Sequence, residues 1–455
     1  MILIKKIDFK YYFSELKNNK KYYCNFNIFI PIYFYMEELF LINGGKILSG
    51  KVNVEASKNA YLPILAGTIL CDGEVIFHNV PNFTDIHNMC EILKRLNVKL
   101  FSSGEFLKLD TTNVKNEKIT HELTNKLRAS IFLLGAMLGK FRQAVISYPG
   151  GCNIGQRPID IHLNAFKSLG VKVIEKHGYI YCNASNMKAG KVTFSSVSVG
   201  ATESLMMCTC LLKGRTTLCN VAKEPEIVEL ARFLNEMGAD IQGAGTDIIE
   251  INGVPKLQGG DFKVFPDRII AGTYLILGAL CGQKLQINGF KKEHNEYLLN
   301  ILKETACEIV EKNDNIIISA NGRNKACRFL ETAPFPNFPT DLQPQIMTLE
   351  SVANGTCVLK ENVFENRFNH VMELNKMGAD ILVKDRIAVI SGVEKLYGAD
   401  VFATDLRAGA GLVLAGLIAD GYTTVHNVHF IDRGYEKFEE KLSSIGADIK
   451  RIKIE

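Results

Sequence analysis

The segment Met237-Gly238-Ala239-Asp240-Ile241 recurs along the chain with its pattern of apolar, small and apolar residues preserved. Its five counterparts are Leu96-Asn97-Val98-Lys99-Leu100, Leu169-Gly170-Val171-Lys172-Val173, Thr305-Ala306-Cys307-Glu308-Ile309, Met377-Gly378-Ala379-Asp380-Ile381 and Ile445-Gly446-Ala447-Asp448-Ile449. The spacings along the chain are 73, 68, 68, 72 and 68 residues. A nearly fixed period identifies each copy as one supersecondary unit. What all six copies share is therefore predicted to be scaffold, and what interrupts one copy is a candidate for chemistry.

Each unit has the same predicted order of elements, βαβαββ, in which the first helix is apolar almost all round. These six apolar helices are predicted at Leu62–Leu70, Ala129–Leu138, Leu205–Leu212, Ala271–Leu280, Gln345–Val352 and Gly409–Ile418. Six glycines are predicted to end them in the left-handed conformation, namely Gly73, Gly139, Gly214, Gly282, Gly355 and Gly421. A helix without a polar face must be buried, so three units can pool three helices into one core. The pattern predicts an α/β fold of two pseudo-threefold domains with a cleft between them.

Composition is typical of a soluble globular protein, with 47% hydrophobic and 22% charged residues over a length that suggests two or three domains. The net charge of +4 arises in residues 1–35, and residues 36–455 carry 47 basic and 47 acidic side chains. This balance gives no support for nucleic-acid binding, which needs a basic excess. The twelve cysteines contain no C-x-x-C motif, which favours a reducing, cytoplasmic location.

The chain start is unlike the rest, and residues 1–45 are predicted to be an extension outside the two domains. Its apolar stretch, 26–35, contains Asn27 and Pro31 and is too short to span a membrane. No small-residue cleavage site follows, which argues against a signal peptide. Met36 is the preferred true start, and a disordered or membrane-touching tail is the alternative.

The second unit is interrupted by residues 149–162, Pro-Gly-Gly-Cys-Asn-Ile-Gly-Gln-Arg-Pro-Ile-Asp-Ile-His. Pro158 suits the first turn of a helix, which places Arg157 at a helix start. A thiol at Cys152, near Arg157 and a helix N-terminus, should have a lowered pKa and be reactive. The alternative is an ordinary cysteine in a glycine loop, but the interruption of a repeat favours the reactive interpretation.

Arginines at equivalent turns of the repeat form the second signal. Arg128 opens an apolar helix, and Arg367, Arg407 and Arg433 lie at strand-to-helix connections. Guanidinium groups bind carboxylate and phosphate in bidentate fashion, so four of them suggest a small substrate with several negative charges. The alternative is that each arginine pairs with the acid beside it in sequence, as Asp267 could with Arg268.

Two further positions carry candidate chemistry. Lys58, followed by Asn59, precedes the first apolar helix, where the helix dipole disfavours a cation, so a bound phosphate could explain it; a solvated loop lysine is the alternative. Asp341 precedes the fifth apolar helix and could cap it or act as a general base, and sequence alone favours the cap. No metal-ligand spacing, P-loop or dinucleotide motif is present, so neither metal nor cofactor is expected.

From about Ile42 to the C-terminus the chain resembles the enolpyruvyl transferase family. Ten stretches carry the resemblance: 57–60 (SKNA), 128–130 (RAS), the 149–162 loop, 198–202 (SVGAT), 224–228 (EPEIV), 266–268 (PDR), 338–341 (FPTD), 363–367 (VFENR), 403–407 (ATDLR) and 431–436 (IDRGYE). The resemblance implies two inverse α/β barrel domains of three βαβαββ repeats each. Residues 58–266 would form domain I, with the cysteine loop 149–162, and residues 46–57 with 267–455 would form domain II.

The resemblance also implies a reaction, in which the enolpyruvyl group of phosphoenolpyruvate passes to the 3′-hydroxyl of UDP-N-acetylglucosamine and phosphate is released. This addition and elimination would begin the committed synthesis of peptidoglycan precursors. Cys152 would be the general acid, able to form a phosphoenolpyruvate adduct, and Asp341 the base, with Lys58 and Arg433 also catalytic. Phosphoenolpyruvate would contact Lys58, Asn59, Arg157, Arg367, Arg407 and Arg433. The UDP-sugar would contact Asn59, Arg128, Arg157, Pro158, Ile159, Asp160, Ile161, Ser198, Val199, Asp341 and Val363.

Some expectations depend on single positions. Cys152 predicts alkylation by fosfomycin, and Ser196 stands where many family members have a lysine near the uridine, which could weaken nucleotide binding. The expected partners are the two small-molecule substrates, without nucleic acid or membrane, in a monomer or weak homo-oligomer. Two alternatives stay open: a catalytically silent paralogue that binds a UDP-sugar, and the related 3-phosphoshikimate enzyme.

Overall fold

A computed structural model describes residues 37–104, 106–150, 154–155 and 158–454 of the chain. The strands are β1 Glu37–Asn43, β2 Leu48–Asn53, β3 Cys71–His78, β4 Lys99–Ser102, β5 Phe106–Asp110, β6 Gln143–Ser147, β7 Lys172–Lys176, β8 Tyr179–Asn183, β9 Lys191–Thr193, β10 Arg215–Cys219, β11 Asp240–Gln242, β12 Ile248–Asn252, β13 Leu257–Phe262, β14 Gly282–Asn288, β15 Glu308–Lys312, β16 Asn315–Ser319, β17 Phe329–Glu331, β18 Thr356–Lys360, β19 Asp380–Lys384, β20 Ile387–Ser391, β21 Asp400–Phe402, β22 Tyr422–His426 and β23 Asp448–Ile454.

The α-helices are α1 Lys58–Gly67, α2 Thr84–Arg95, α3 His121–Thr124, α4 Phe132–Phe141, α5 Asp160–Ser168, α6 Val199–Thr209, α7 Pro225–Glu236, α8 Arg268–Cys281, α9 Lys292–Lys303, α10 Gln343–Val352, α11 Val371–Lys376, α12 Leu406–Ile418 and α13 Phe438–Ser444. Short 3-10 turns occupy Thr68–Leu70, Arg128–Ile131, Thr340–Leu342 and Val428–Arg433.

The strands of the described residues form six small sheets, one for each predicted unit. Their strand orders are β13-β3-β5-β4, β6-β8-β7 and β11-β12-β10-β9, which we call the first group, and β15-β16-β14-β2, β17-β18-β20-β19 and β21-β22-β1-β23, which we call the second group. Each four-stranded sheet has one parallel pair next to antiparallel ones. The repeat inferred from sequence is therefore confirmed, and the fold is the predicted α/β arrangement of two sets of three units.

Two trios of apolar helices form the core of these groups. Helices α1, α4 and α6 contact one another in the first group, and α8, α10 and α12 do so in the second. Close approach is possible because glycines face the contacts: a Cβ on Gly135 of α4 would lie 2.3 Å from the carbonyl oxygen of Ser204 in α6. The predicted apolar helices are confirmed, although several begin earlier than the hydrophobic pattern indicated.

The start of the described chain belongs to the last sheet. Strand β1 lies between β22 and β23, with Phe40 opposite both Val425 and Arg451. The expected extension of residues 1–45 is therefore wrong for residues 37–43, which are structural; most of the remainder, including Met36, lies outside the described residues. Periodicity missed this strand because its partners lie about 400 residues away, a separation that no local pattern reports.

The prediction that left-handed glycines end the apolar helices is wrong. Gly73, Gly214, Gly355 and Gly421 have positive φ, but they lie beyond the helix ends, whose C-caps are Thr68, Cys210, Ala353 and Ala419. Gly139, however, lies inside α4, which ends at Arg142 with φ of 59°, and Gly282 has φ of −78° as β14 begins. Gly139 is needed for packing instead, because a Cβ there would lie 2.6 Å from the carbonyl oxygen of Met207.

The chain passes between the two groups along two adjacent segments. The backbone N–H of Ser57 donates to the carbonyl of Phe265 at 2.8 Å, and that of Asp267 donates to Glu55 at 2.7 Å. Both segments then lead directly into helices, α1 at Lys58 and α8 at Arg268. The domain division near residues 58 and 266 stays a prediction, but this pairing is where such a boundary would place its crossings.

Candidate active site

A half-buried carboxylate, Asp341, lies between two arginines of the second group. Its Oδ2 accepts hydrogen bonds from Nε and Nη2 of Arg407 at 3.2 and 3.1 Å, and its Oδ1 lies 3.5 Å from Nη2 of Arg367. Burial alone would raise the pKa of Asp341, but Arg407 and Arg367 outweigh it and hold that pKa well below its usual range. Asp341 is therefore ionised at neutral pH and placed among cations.

A second carboxylate, the buried Asp85, joins the two groups. It accepts a hydrogen bond from Nζ of Lys58 at 3.1 Å and from Nε of Arg433 at 2.8 Å. Burial would raise the pKa of Asp85, but Lys58 and Arg433 reverse the effect and lower it. Because Asp85 lies on α2 of the first group and Arg433 follows β22 of the second, this pair bridges the groups.

The two carboxylates belong to one electrostatic cluster. Burial lowers the pKa of Lys58, Asp85 opposes that change, and the charges of Arg407, Arg433 and Asp341 also reach its ammonium group. Four of the cations that the sequence singled out thus lie close together: Lys58, Arg367, Arg407 and Arg433.

One alternative from the sequence was that each arginine pairs with the acid next to it in sequence. For the bonds between side chains, this hypothesis is wrong. Asp405, beside Arg407, binds Nη1 of Arg367 at 3.2 Å and caps α12. Arg268 pairs with Glu226 of the first group at 3.0 Å, while Asp267 caps α8 and accepts from the N–H of Lys58. The arginines reach other segments because the repeat turns converge in space.

The acid beside Arg433 follows the same rule. Asp432 binds Arg451 at 2.6 and 2.9 Å, whereas Arg433 reaches Asp85. The preference for Asp341 as a helix cap is also wrong, because the N-cap of α10 is Leu342 and makes no side-chain bond. Asp341 instead lies in the 3-10 turn Thr340–Leu342, where its carboxylate is available to the arginines.

The residues expected to contact the nucleotide gather at the starts of α5 and α6. Ser198 caps α6 by accepting from the N–H of Ala201 at 3.3 Å, and Val199 is the first residue of that helix. Asp160 opens α5, two residues after Pro158, so the helix starts later than predicted. A Cβ on Gly200 would lie 2.9 Å from Nε2 of His162, so the two helix starts are adjacent.

The remaining predicted contacts are dispersed over the turns that surround this region. Asn59 is half-buried on the first turn of α1, and Arg128 is half-buried at the start of a 3-10 turn. Ile159 is buried before α5, Ile161 is half-buried, and Val363 is 36% exposed after β18. Ser196 is exposed two residues before the cap of α6.

Cys152 and Arg157, the candidates in the interrupting loop, lie outside the described residues. The described part of that loop approaches the second group, because the N–H of Asn366 donates to the carbonyl of Ile154 at 3.0 Å. A Cβ on Gly155 would lie 2.3 Å from a carboxylate oxygen of Glu365. Residues 154–155 therefore lie on the turn that leads to Arg367.

Three acids of the site were missed or underrated from sequence. Asp85 was not singled out, although it lies in the first turn of a helix that follows a strand, a position similar to those of the arginines. Asp405 was considered only as a neighbour of Arg407. Glu361 was overlooked; it is fully buried and holds both the Asp341 turn and the Val363 turn. Within the described ranges, no group of three metal-ligating side chains occurs.

Chemically, the cluster suits a small molecule with two anionic groups. One pair of guanidinium groups, of Arg367 and Arg407, faces Asp341, and a second cationic pair, Lys58 and Arg433, faces Asp85. Charged groups preorganised in a buried site stabilise developing charge strongly because they need no reorganisation. A carboxylate beside them, Asp341, can accept a proton once its own ion pairs are weakened.

Comparison with known proteins shows which family this sequence matches. The model of the family described as EPSP synthase (3-phosphoshikimate 1-carboxyvinyltransferase) matches residues 42–442. The chain belongs to the enolpyruvyl transferase family. A UDP-N-acetylglucosamine 1-carboxyvinyltransferase 2 from Caldanaerobacter subterraneus is 49% identical over 413 residues, 91% of this chain and 99% of that protein. A UDP-N-acetylglucosamine 1-carboxyvinyltransferase from Geobacter metallireducens is 45% identical over similar shares, 91% and 99%.

Solved structures of this enolpyruvyl transferase family share the fold. The enolpyruvyl transferase NikO from Streptomyces tendae has a TM-score of 0.81 at 25% identity, over 92% of this chain and 99% of that one. EPSP synthase from Acinetobacter baumannii has a TM-score of 0.71 at 17% identity, over 92% of this chain and 100% of that one. Of the residues that the structure describes, none form a helix long and apolar enough to cross a membrane.

Proposed function

We propose that this chain transfers the enolpyruvyl group from phosphoenolpyruvate to the 3′-hydroxyl of UDP-N-acetylglucosamine and releases phosphate. The observation that carries the proposal is the cluster in which Arg367 and Arg407 face Asp341 while Lys58 and Arg433 face Asp85. Phosphoenolpyruvate has two anionic groups, a carboxylate and a phosphate, both attached to its C2 atom, and two adjacent cationic pairs can bind them. The relatives at 49% and 45% identity carry the name of this activity.

The donor would be held at both ends. In this arrangement Arg367 and Arg407 bind the carboxylate of phosphoenolpyruvate, and Lys58 and Arg433, with Arg157 and Asn59, bind its phosphate. Guanidinium groups suit both tasks because their paired N–H donors match carboxylate and phosphate oxygens. Fixing the donor at two points leaves its C2 and C3 atoms oriented for attack, which is a large part of catalysis by positioning.

The transfer proceeds by addition and elimination. The 3′-oxygen of the sugar attacks C2 while Asp341 takes the hydroxyl proton and Cys152 gives a proton to C3. The resulting tetrahedral ketal then loses the C3 proton and its C2–phosphate bond breaks, which restores the double bond and releases phosphate. The cations stabilise the charge that develops on the donor through both steps. Alkylation of Cys152 by fosfomycin would follow from the lowered pKa that its sequence neighbours predict for this thiol.

Asp341 needs the donor in order to act as a base. While Arg407 and Arg367 hold its pKa well below the usual range, the carboxylate is a poor proton acceptor. A donor carboxylate that engages the same guanidinium groups would share their charge and let the basicity of Asp341 rise. Proton removal would thus be coupled to occupancy of the donor site, which limits unproductive chemistry.

The acceptor would lie along the starts of α5 and α6. Ser198, Val199 and residues 158–161 would contact the nucleotide, with Arg128 nearby and Val363 on the facing turn. The loop that carries Cys152 would close over the donor, an arrangement supported by the bond from Asn366 to Ile154. We place the reaction in the cytoplasm, because all ten described cysteines are free.

The decisive experiment measures phosphate release from phosphoenolpyruvate with UDP-N-acetylglucosamine or with shikimate 3-phosphate as acceptor. Release with the UDP-sugar alone is expected. Release with shikimate 3-phosphate alone would contradict the proposal, and no release with either acceptor would favour the silent UDP-sugar-binding paralogue.

Variants then test the roles of single residues. Asp341→Asn should lower kcat by roughly 100- to 10,000-fold, the usual contribution of a general base, and Cys152→Ser should abolish most turnover at neutral pH. Asp420→Asn is the matched control, because Asp420 is an exposed partner of Lys395 and should leave kcat unchanged. If Asp341→Asn retains wild-type kcat, the base is another group.

A further inference from the structure

Glu361 is a buried carboxylate that the proposed mechanism does not use. It follows β18 directly and has no exposed surface. Its Oε1 accepts from the backbone N–H groups of Val363 and Phe364 at 2.8 and 3.0 Å, and its Oε2 accepts from the hydroxyl of Thr340 at 3.0 Å. No Lys or Arg is paired with it in the described ranges, so its bonds are all to neutral donors.

These three bonds join two segments that are more than 20 residues apart in sequence. Thr340 immediately precedes Asp341, and its carbonyl accepts from Nε of Arg367 at 3.2 Å. Val363 and Phe364 begin the turn that contains Glu365 and Asn366 and leads to Arg367. Asn366 in turn contacts the cysteine loop at Ile154. Glu361 therefore touches the base turn, the arginine turn and, through the latter, the loop.

Burial of Glu361 makes this arrangement of the two turns specific. A carboxylate without exposed surface is costly unless its oxygens are satisfied, and here both oxygens are satisfied only if the two turns keep their present relative placement. Moving the Asp341 turn away from the Val363 turn would leave one oxygen of Glu361 buried without a partner. The carboxylate thus penalises any displacement of one turn relative to the other.

We propose that Glu361 is a positioning residue, which sets the base Asp341 against the Val363 turn that would contact the UDP-sugar. It acts through hydrogen-bond acceptors and touches neither substrate. The inference rests on the proposed function, because it assigns Glu361 the task of aligning the acceptor hydroxyl with its base. Partners that orient a functional group commonly contribute 10- to 100-fold in activity, about the range expected here.

The experiment compares Glu361→Ala with Glu361→Gln in the full-length protein. Glu361→Ala should lower kcat/KM for UDP-N-acetylglucosamine by about 100-fold. Glu361→Gln should stay within about five-fold of wild type, because the amide oxygen can still accept from Val363 and Phe364 and the amide N–H can donate to Thr340. If kcat/KM of Glu361→Gln falls to the level of Glu361→Ala, the idea that Glu361 acts as a hydrogen-bond acceptor for the two turns is overturned.

Glu350 supplies the matched control for burial. It is equally unexposed, lies on α10 of the same repeat and accepts a single backbone bond, from Cys327 at 3.0 Å. Glu350→Ala should lower Tm but leave kcat/KM within about two-fold, because Glu350 holds neither the Asp341 turn nor the Val363 turn. If Glu361→Ala and Glu350→Ala lose activity equally, Glu361 is merely structural and the inference fails.

Variants of Thr340 test the bond from Glu361 to the Asp341 turn separately from its bonds to the Val363 turn. They also provide a test if Glu361→Ala does not fold. Thr340→Val removes only the hydroxyl bond and should lower kcat about ten-fold with little change in KM for the UDP-sugar, while Thr340→Ser should restore kcat. An unchanged kcat in Thr340→Val would contradict the link to Asp341.

Amide hydrogen exchange tests the inference without turnover. The N–H groups of Val363 and Phe364 should be protected in wild type and exposed in Glu361→Ala. Equal exchange in the two proteins overturns the positioning role whatever the activity. If wild type releases no phosphate but Val363 and Phe364 still exchange faster in Glu361→Ala than in wild type, the proposed function is contradicted and the hydrogen-bond arrangement is established. The failure of the proposed function and the failure of the positioning role are therefore distinguishable.

Discussion

At the scale of single residues, the site depends on acids that hold its cations in place. A buried ammonium or guanidinium group loses hydration, and only a carboxylate with good geometry can compensate it. Three acids, Asp341, Asp85 and Asp405, compensate the cations of the site in this way. These cations are Lys58, Arg367, Arg407 and Arg433. Because each acid bonds to a cation from another segment, the acids also fix how the repeat turns converge.

Replacing Asp85 should expose this dependence. Asp85→Asn removes a buried carboxylate that faces Lys58 and Arg433, which should lower the free energy of unfolding by about 3 kcal/mol. Added inorganic phosphate should stabilise the variant more than the wild type, because in the wild type phosphate must compete with Asp85. Thermal unfolding with and without phosphate measures both effects. Glu91→Gln, at the exposed pair with Lys94, is the control and should change little; equal phosphate stabilisation of both proteins would contradict the idea.

Glu350 gives a pH prediction of known sign. Burial raises the pKa of Glu350 to about 8, above its value in the unfolded chain, so the native state binds a proton that the unfolded state releases. Stability therefore falls as pH rises from about 4.5 to 8. Glu350→Gln removes that loss and should be more stable than wild type by about 4 kcal/mol at pH 8 but nearly equal at pH 4.5. Urea unfolding at the two pH values checks it; a pH-independent difference would show that Glu350 is not the titrating group.

Sequence identified the cations of the site but not their partners. Arg367, Arg407 and Arg433 stand out because each lies at a strand-to-helix connection of a repeat, a regularity visible in one dimension. Asp85 and Glu361 do not stand out, because an acid in a strand-to-helix turn is ordinary, and its meaning comes from contacts with segments far along the chain. The adjacent-acid hypothesis failed for the same reason.

At the scale of elements, the interiors of the helix trios depend on small residues. Helix α4 approaches α6 at Gly135, where even a methyl group would collide with the backbone of Ser204. Backbone cannot yield as the tip of a side chain can, so a collision there must separate the two helices. The apolar helices were predictable from their composition, but which of their glycines serve packing and which serve caps was not.

Gly135→Ala should therefore destabilise the first group. Overpacking of a close helix contact costs about 1–3 kcal/mol, and the better helix propensity of alanine recovers less than about 1 kcal/mol. Chemical unfolding measures the loss. Gly190→Ala is the control, because a Cβ there would have nothing within 4 Å and the residue has no positive φ. If both variants are equally stable, α4 and α6 are not in the close contact described.

At the scale of the whole molecule, two groups of repeats share one site through buried polar contacts. Glu226 of the first group pairs with Arg268 of the second, Glu224 accepts from the N–H of Phe335, and Asp85 reaches Arg433. Polar contacts between groups suit a molecule that must admit substrates and then enclose them. The sixfold repeat was visible in sequence, whereas the pairing of its halves depends on these few long-range bonds.

Glu226→Gln should favour separation of the groups without unfolding either one. Glu226 lies in the first turn of α7, and its side chain is 4% exposed against 8% for Arg268. Loss of its charge leaves the Arg268 guanidinium weakly compensated in the closed arrangement, and hydration of that group then favours an open one.

The closed form should therefore be less populated in free Glu226→Gln than in wild type. The apparent affinity for each substrate should fall in proportion to the population of the closed form. We expect KM for both substrates to rise about ten-fold, with kcat at saturation within about two-fold, because bound substrates restore closure. Small-angle X-ray scattering should show a larger radius of gyration for the free variant, which returns to the wild-type value when both substrates are added. Glu236→Gln is the matched control, because Glu236 lies on the same helix but pairs with the exposed Arg232 of that helix. If Glu226→Gln instead lowers kcat and leaves the radius of gyration unchanged, the Glu226–Arg268 pair supports the chemistry and not the closure of the two groups.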